Sequence, residues 1–490
     1  MKRVSSSLVP PIALDRSKRY PVYRQLYDWF QRAIASGQLR PGQRVPSTRS
    51  LAAELNVSRI PVLNAFEQLH AEGYLQTFVG AGTWVASSIP QETIGPSTGK
   101  ISGPAQKKGT RRISQGGLAA TLRAPQPWLN LSGAFRMHLP ALDHFPTDVW
   151  SRLVARNARK STMDTMAYGD SMGYAPFREV IAEYLGAVRA VRCDPAQVMV
   201  VAGSQQGLQI SARVLLNPGE AVWMEEPGYP GAHQAFRTAK ARLIPVPVDN
   251  EGLNVENGIH RCRNARAAYI TPSHQYPLGT TMSATRRLQL LNWASRTGSW
   301  IIEDDYDSEY RFGSRPIASL QGLDSDARVI YIGTFSKVLF PALRLGYMVV
   351  PTDLIPAFST ARDAADIFSS TLYQAVLTDF IKEGHFARHI RRMRILYADR
   401  RNALAEAIHE EIGGMLEIVS AEAGMHLVGL LPRGMKDTEI SQNAARIGIS
   451  AMPLSICYLN RPLRGGLVLG YGGTDGAQIH DGAHKLKMCL

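Results

Sequence analysis

From residue 128 to the end of the chain, short apolar segments alternate with helical ones, and this alternation predicts an α/β domain built on a largely parallel sheet. The strand segments are 197–201, 221–224, 242–245, 267–270, 300–303, 329–332 and 346–350. Sheets of this kind bind ligands just past the carboxyl ends of their strands. The polar motifs of this chain fall at those points, so the periodicity also predicts where its chemistry lies. From about Asp353 the pattern is mainly helical, and from Met425 a smaller α+β subdomain closes the chain.

A chain of 490 residues exceeds what one core supports. The N-terminal part reads as a separate domain, residues 1–86. An amphipathic helix is predicted over Val22–Ala35, with Val22, Leu26, Phe30, Ala33 and Ile34 on one face. Ser47 N-caps a short helix over 48–55, and a third helix over 58–72 turns Val62, Leu63, Phe66 and Leu69 inward. Two short strands, 74–79 and 83–86, flank Gly80-Ala81-Gly82. Three helices followed by a hairpin describe a winged helix-turn-helix.

Charge separates this region from the rest. Residues 1–86 carry 11 Lys/Arg against 5 Asp/Glu and residues 87–127 carry 6 against 1, so 11 of the net +14 charges lie in the first 127 residues. A basic head on a near-neutral body predicts a polyanionic partner for the head alone, nucleic acid, and a helix-turn-helix reads double-stranded DNA through its major groove. Ser58 and Arg59 open the expected recognition helix, Arg49 lies on the preceding helix, and Arg44 precedes the motif. Gly80 and Gly82 at the wing tip permit close backbone approach to a phosphate or the minor groove. Residues 87–127, rich in Ser, Gly, Pro, Gln, Lys and Arg, read as a flexible basic linker with ends on the order of 35 Å apart.

Cys193, Cys262, Cys457 and Cys489 are widely spaced and match no metal pattern, so no metal is expected and the thiols read as reduced. The apolar run near the N-terminus is short and broken by Pro10 and Pro11, a poor signal peptide. A cytoplasmic protein without a membrane partner is expected.

The segment GTFSKVLFPALRLG, residues 333–346, sets Lys337 between hydroxyl groups and Arg344. A lysine that forms a Schiff base with a carbonyl cofactor needs phosphate-binding groups on both sides of its amine. Thr334 and Ser336 supply hydroxyl donors, and Arg344 a planar cationic one. Gly203-Ser204-Gln205 follows a strand and opens a helix, a second anion-holding element. Tyr229 presents a plane on which a pyridine ring can stack, and Asp304 a carboxylate that can keep a ring nitrogen protonated. Tyr306 can hydrogen bond a phenolic oxygen, and His274 or Gln275 offers that oxygen a further partner.

Two resemblances follow from these residues. PSTRSLAAELNVSRIPVLNAFEQLHAEGYL with the GAGT wing resembles the GntR-type winged helix, which implies operator contacts by Arg49, Ser58, Arg59 and Gly80. Residues 128–490 resemble the fold-type I pyridoxal-phosphate aminotransferases, with a large α/β domain and a small α+β subdomain. The fusion resembles the MocR subfamily of transcriptional regulators over nearly the whole length. That likeness implies pyridoxal 5'-phosphate on Lys337, its phosphate held by Ser204, Gln205, Thr334, Ser336 and Arg344. It also implies Asp304 at the ring nitrogen, Tyr306 near the phenolic oxygen, Tyr229 stacked, and a head-to-tail homodimer.

One departure stands against turnover. Aminotransferases of this fold hold the substrate carboxylate with an arginine near the C-terminus, in a strand of the form Arg-Leu-Gly-Phe. Here Gly465-Gly466-Leu467-Val468-Leu469-Gly470-Tyr471 places Val468 at that position, and losing a bidentate clamp costs about 2–4 kcal/mol of binding. Arg461 and Arg464 stand close enough in sequence to replace it. The expected function is a regulator that senses a small amine, or pyridoxal phosphate itself, at Lys337. The alternative is a working aminotransferase with an accessory DNA-binding domain.

Overall fold

The structure, a computed structural model, describes residues 9–15, 20–78, 81–87, 133–312, 318–419, 423–462 and 464–490. The chain divides into two compact units, and the division falls between residues 87 and 133. Most of the expected linker, and Gly80 of the expected wing, lie outside the described residues.

In the first unit α1 (Val22–Ala35), α2 (Thr48–Glu54) and α3 (Arg59–Ala71) form the helical part. Strands β1 (Arg44–Val45), β2 (Leu75–Phe78) and β3 (Gly82–Val85) form an antiparallel sheet in the order β1-β3-β2. The Ser47 hydroxyl accepts from the Ser50 amide at 3.1 Å, which satisfies an otherwise unpaired donor at the start of α2. Leu26, Phe30 and Ile34 of α1 meet Val62, Phe66 and Leu69 of α3 in one core, with the Phe30 and Phe66 rings edge to face at 5.2 Å. Leu63 departs from the expected inward set: it is 37% exposed, and Ala65 is buried in its place. The helical period turns position 65, one turn before Leu69, toward α1, and leaves position 63 beside the wing.

The second unit contains an eight-stranded sheet ordered β4-β11-β10-β9-β8-β5-β6-β7. Its strands are β4 (Val198–Val201), β5 (Ala221–Glu226), β6 (Arg242–Asp249), β7 (Gly252–Leu253), β8 (Ala267–Ile270), β9 (Trp300–Asp305), β10 (Val329–Thr334) and β11 (Gly346–Val349). The pairs β10·β9, β9·β8, β8·β5 and β5·β6 are parallel, whereas β11 runs antiparallel to both of its neighbours and β7 antiparallel to β6. Burial on both faces explains why the strands read as continuous apolar runs. Along β4, Val198 and Val200 join the core containing Phe177, Val376 and Tyr397, and Met199 and Val201 join the opposite core with Leu208, Phe236 and Phe358.

Helices Ile355–Asp366, Thr371–Lys382 and His385–Glu411 follow. The small sheet, order β12-β13-β15-β14, then contains β12 (Glu417–Val419), β13 (His426–Leu430), β14 (Met452–Pro453) and β15 (Gly466–Gly470), all antiparallel. It begins one strand earlier than the sequence pattern indicates, because β12 is only three residues long. Among the described residues no helix is long and apolar enough to cross a membrane.

Candidate functional site

Strands β4, β5, β8, β9 and β10 lie in one orientation, so their carboxyl ends share an edge of the sheet. A cleft of about 620 Å³, counting its solvent-open mouth, lies at that edge. It is lined by His138, Ser204, Gln205, Tyr229, Tyr269, Thr271, Tyr276, Asp304, Tyr306, Thr334, Ser336, Lys337 and Arg344. Nine of these are residues singled out in the sequence, brought together from four strand ends.

Lys337 follows β10, and its Nζ donates to the His138 carbonyl at 3.4 Å. Burial disfavours the ammonium and lowers its pKa to about 8, against the opposing pull of Asp307 and Asp304. A neutral amine is therefore accessible near physiological pH, as attack on a carbonyl requires.

Helix Ser204–Leu215 opens at the end of β4 with its first backbone N–H groups at the cleft. Gly203 adopts φ +114°, where a side chain would be strained, and its Cα faces the Arg344 guanidinium. The Thr334 hydroxyl accepts from the Ser336 amide at 3.2 Å, which leaves its own proton to donate. Gln205 is turned differently: its side-chain amide donates to the Gly231 carbonyl at 3.0 Å, so its contribution at the anion-holding end is its position on the helix start.

Asp304 lies at the opposite end. Tyr269 donates to its Oδ2 at 2.9 Å, while Oδ1 is buried without a partner. Burial raises the Asp304 pKa to about 7. A carboxylate with one oxygen reserved and a strong preference for a cationic partner fits a protonated ring nitrogen. Tyr229 stands in the cleft against Tyr276 and His138, both edge to face with it.

His274 and Gln275 do not line the cleft. His274 is buried, its Nδ1 2.9 Å from Asp307 Oδ1 and 2.8 Å from the Tyr306 hydroxyl. Gln275 is buried too, and its amide donates to Glu225 and to the Pro227 and Tyr276 carbonyls. Both side chains are occupied holding the strand-end loops. Sequence reasoning missed His138, Tyr269, Thr271 and Tyr276. Tyr269 and Thr271 were within reach of it, standing at the end of a recognised strand, whereas His138 comes from a segment with no motif and takes φ +66°.

Val468 is fully buried on β15, packed with Met137, Tyr276, Val428 and Met452. Arg464 donates to the Leu431 carbonyl at 2.5 Å and pairs with Glu417 at 2.6 Å, and Arg461 lines a different surface groove. Arg344 is the one arginine among the described residues that line the cleft.

In the first unit, Arg49, Ser58 and Arg59 are all exposed at the junction of α2 and α3. Arg59 donates to the Thr48 hydroxyl at 3.2 Å, and Ser58 makes no capping bond. Arg44 lies against Gly82, at the turn end of the wing hairpin, and over the Trp84 ring.

A winged-helix DNA-binding unit joined to a fold-type I, pyridoxal-phosphate-binding domain is the class that this fold and cleft define. Comparison with known families agrees: residues 22–85 match the gntR family of bacterial regulatory proteins, and residues 141–467 match aminotransferase class I and II. The chain is 40% identical to the probable rhizopine catabolism regulatory protein MocR of Rhizobium meliloti, over 97% of this chain and 95% of that one. It is 31% identical to the pyridoxine biosynthesis transcriptional regulator PdxR of Corynebacterium glutamicum, over 95% of each chain. The crystal structure of LysN, the alpha-aminoadipate aminotransferase of Thermus thermophilus complexed with N-(5'-phosphopyridoxyl)-L-leucine, matches 77% of this chain and 97% of its own, with 29% identity and a TM-score of 0.71. The chain belongs to the MocR subfamily of GntR-type transcriptional regulators.

Proposed function

We propose that the second unit is an effector sensor that binds a small amine beside Lys337 and reports it to an operator held by the first unit. The observation that carries this reading is the composition of the cleft, a buried amine of lowered pKa with one arginine, Arg344, while Val468, in the core cluster with Tyr276, stands where the resemblance expects a carboxylate clamp. Pyridoxal phosphate, when bound, supplies a carbonyl carbon open to primary amines and an electron-withdrawing ring. Lys337 would supply the amine that holds it, and Ser204, Gln205, Thr334, Ser336 and Arg344 would take its phosphate. Tyr229 would cover the ring, Asp304 would hold a proton at its nitrogen, and Tyr306 would donate to its oxygen.

The effector on this reading is an amine without an α-carboxylate. The walls of Tyr229, Tyr276, Tyr306 and His138 favour a neutral body, and burial holds the His138 imidazole in its uncharged form. A second copy of the chain completes the regulator. Met163, Met166 and Tyr168, 79–88% exposed, provide an apolar patch suited to that partner. For the effector to switch DNA binding it must favour one dimer conformation over another.

The test is a visible spectrum of wild type and Lys337→Ala with amines titrated into each, paired with operator footprinting. A lysine-dependent band, displaced by an amine that also changes the footprint, is expected. A wild type without that band overturns the reading. Sensing of pyridoxal phosphate itself, a reading suggested by the likeness to a regulator of pyridoxine biosynthesis, instead requires the cofactor alone to change operator affinity. A working aminotransferase remains the second reading, favoured by the intact Lys337, Asp304 and Tyr306 set, and steady turnover of an amino-acid and oxo-acid pair would establish it.

A further inference from the structure

Beneath the cleft, three side chains share one nitrogen. His274 Nδ1 lies 2.9 and 3.1 Å from the two Asp307 oxygens and 2.8 Å from Tyr306 Oη. His274 and Asp307 are almost fully buried, and His274 Nε2 is buried with no partner. A nitrogen lone pair cannot face a carboxylate at this distance without strong repulsion, so the proton sits on Nδ1 and Nε2 is bare. The alternative tautomer would also bury an unpaired N–H, the costlier orphan.

A protonated Nδ1 has no lone pair to offer Tyr306. The Tyr306 oxygen therefore accepts from it, and the tyrosine's own proton must point elsewhere. Tyr306 lines the cleft, and burial beside Asp307, Tyr276 and Asp304 pushes its ionisation well up, so the proton is retained. Packing locks the imidazole: a Cβ on Gly424, which adopts φ +91°, would come within 2.0 Å of His274 Cε1. The charged groups facing this cluster are Lys337 after β10 and Asp304 and Asp305 on β9, with the His426 ring tilted 5.3 Å from His274. The His426 Nε2 pairs with the Pro277 carbonyl, so it offers His274 no donor.

We propose that Asp307 and His274 are positioning residues that fix the Tyr306 hydroxyl proton toward the cleft, making Tyr306 a one-way donor to the ring oxygen of the bound cofactor. This rests on the cofactor reading above. Sequence inspection placed His274 beside that oxygen; here it acts one residue removed, through Tyr306.

Nuclear magnetic resonance of the full-length chain with ¹⁵N-labelled histidine, assigned with His274→Gln, tests the tautomer directly and without cofactor. A protonated Nδ1 and a bare Nε2 are expected, and a neutral ring protonated at Nε2 overturns the proposal. In the loaded protein, the pH midpoint of the lysine-dependent visible band is compared in wild type, Tyr306→Phe, Asp307→Asn and the double variant. Loss of a donor to an oxygen anion raises the midpoint, by about one pH unit. Asp307→Asn also removes a charge that raises the Lys337 pKa, so the deciding quantity is the coupling: Tyr306→Phe is expected to raise the midpoint in the wild-type background and to have little further effect in the Asp307→Asn background. Additive shifts overturn the proposal. Should Asp307→Asn fail to fold, the tautomer of the unsubstituted chain still decides. A wild type with no visible band removes the cofactor reading and leaves the tautomer result standing.

Discussion

Tyr269 donates its hydroxyl to Asp304 at 2.9 Å and occupies one carboxylate oxygen, while the other stays buried and unpartnered at the floor of the cleft. The bond fixes the carboxylate plane, and burial makes the second oxygen a strong acceptor for a cation or donor in the cleft.

Asp304→Asn removes the charge and keeps the shape. Pyridoxal-phosphate affinity is expected to fall by tenfold or more, equivalent to about 1.5–3 kcal/mol for a hydrogen bond to a charged group. Titration of the visible band measures it, and unchanged affinity would remove Asp304 from the ring-nitrogen position.

Cofactor capture should depend on pH through Lys337. Its pKa is lowered to about 8, so the reactive neutral amine grows as pH rises and levels off above about 8, well before an ordinary lysine would. The capture rate, followed by stopped-flow absorbance from pH 6 to 10, is expected to rise and then plateau. A rate still climbing at pH 10 would contradict the buried setting of the amine.

Buried carboxyls set the pH profile of the cofactor-free protein. Burial raises the pKa of Glu225 and Asp304 to about 7 in the folded state, so the fold holds protons that the unfolded chain releases near pH 4. Their stabilising contribution is full below about pH 4 and is lost as pH rises toward 7. Urea melts between pH 5 and 7 should show stability falling with pH, and Glu225→Gln should flatten that slope.

Neither Arg461 nor Arg464 reaches the cleft. Arg461→Ala and Arg464→Ala are each expected to change amine affinity by less than about twofold, the effect of a surface substitution away from the ligand. A large loss in either would show a carboxylate clamp approaching from another direction.

On the head, Arg49 and Arg59 are exposed beside the start of α3. If both contact phosphates, alanine at each should weaken binding evenly across operator sequences and lower the salt slope by about one. Base readout by Arg59 would instead appear as relaxed specificity at one operator position.

Much of this was legible in order along the chain. A helix period over Val22–Ala35 and apolar runs at the strands are local properties, so the elements fell close to their observed bounds. Lys337, Asp304, Tyr306 and Tyr229 were also recognisable as polar lining, because each stands at or just past the end of a strand that stops at the same edge. Leu63 was misjudged because a helix face has a fixed width while the neighbour that covers it is supplied by other elements.

Sequence alone determined the two-part plan, the basic head and the polar motifs at the strand ends, since all depend on residue identity and local order. Tertiary structure alone decided which polar groups enter the cleft. It turned His274 toward Asp307 and Gln275 toward Glu225, and it brought His138 from a motifless segment to within reach of Lys337. A buried donor or acceptor must pair wherever the packing places it, and that placement is set by contacts far apart in the chain.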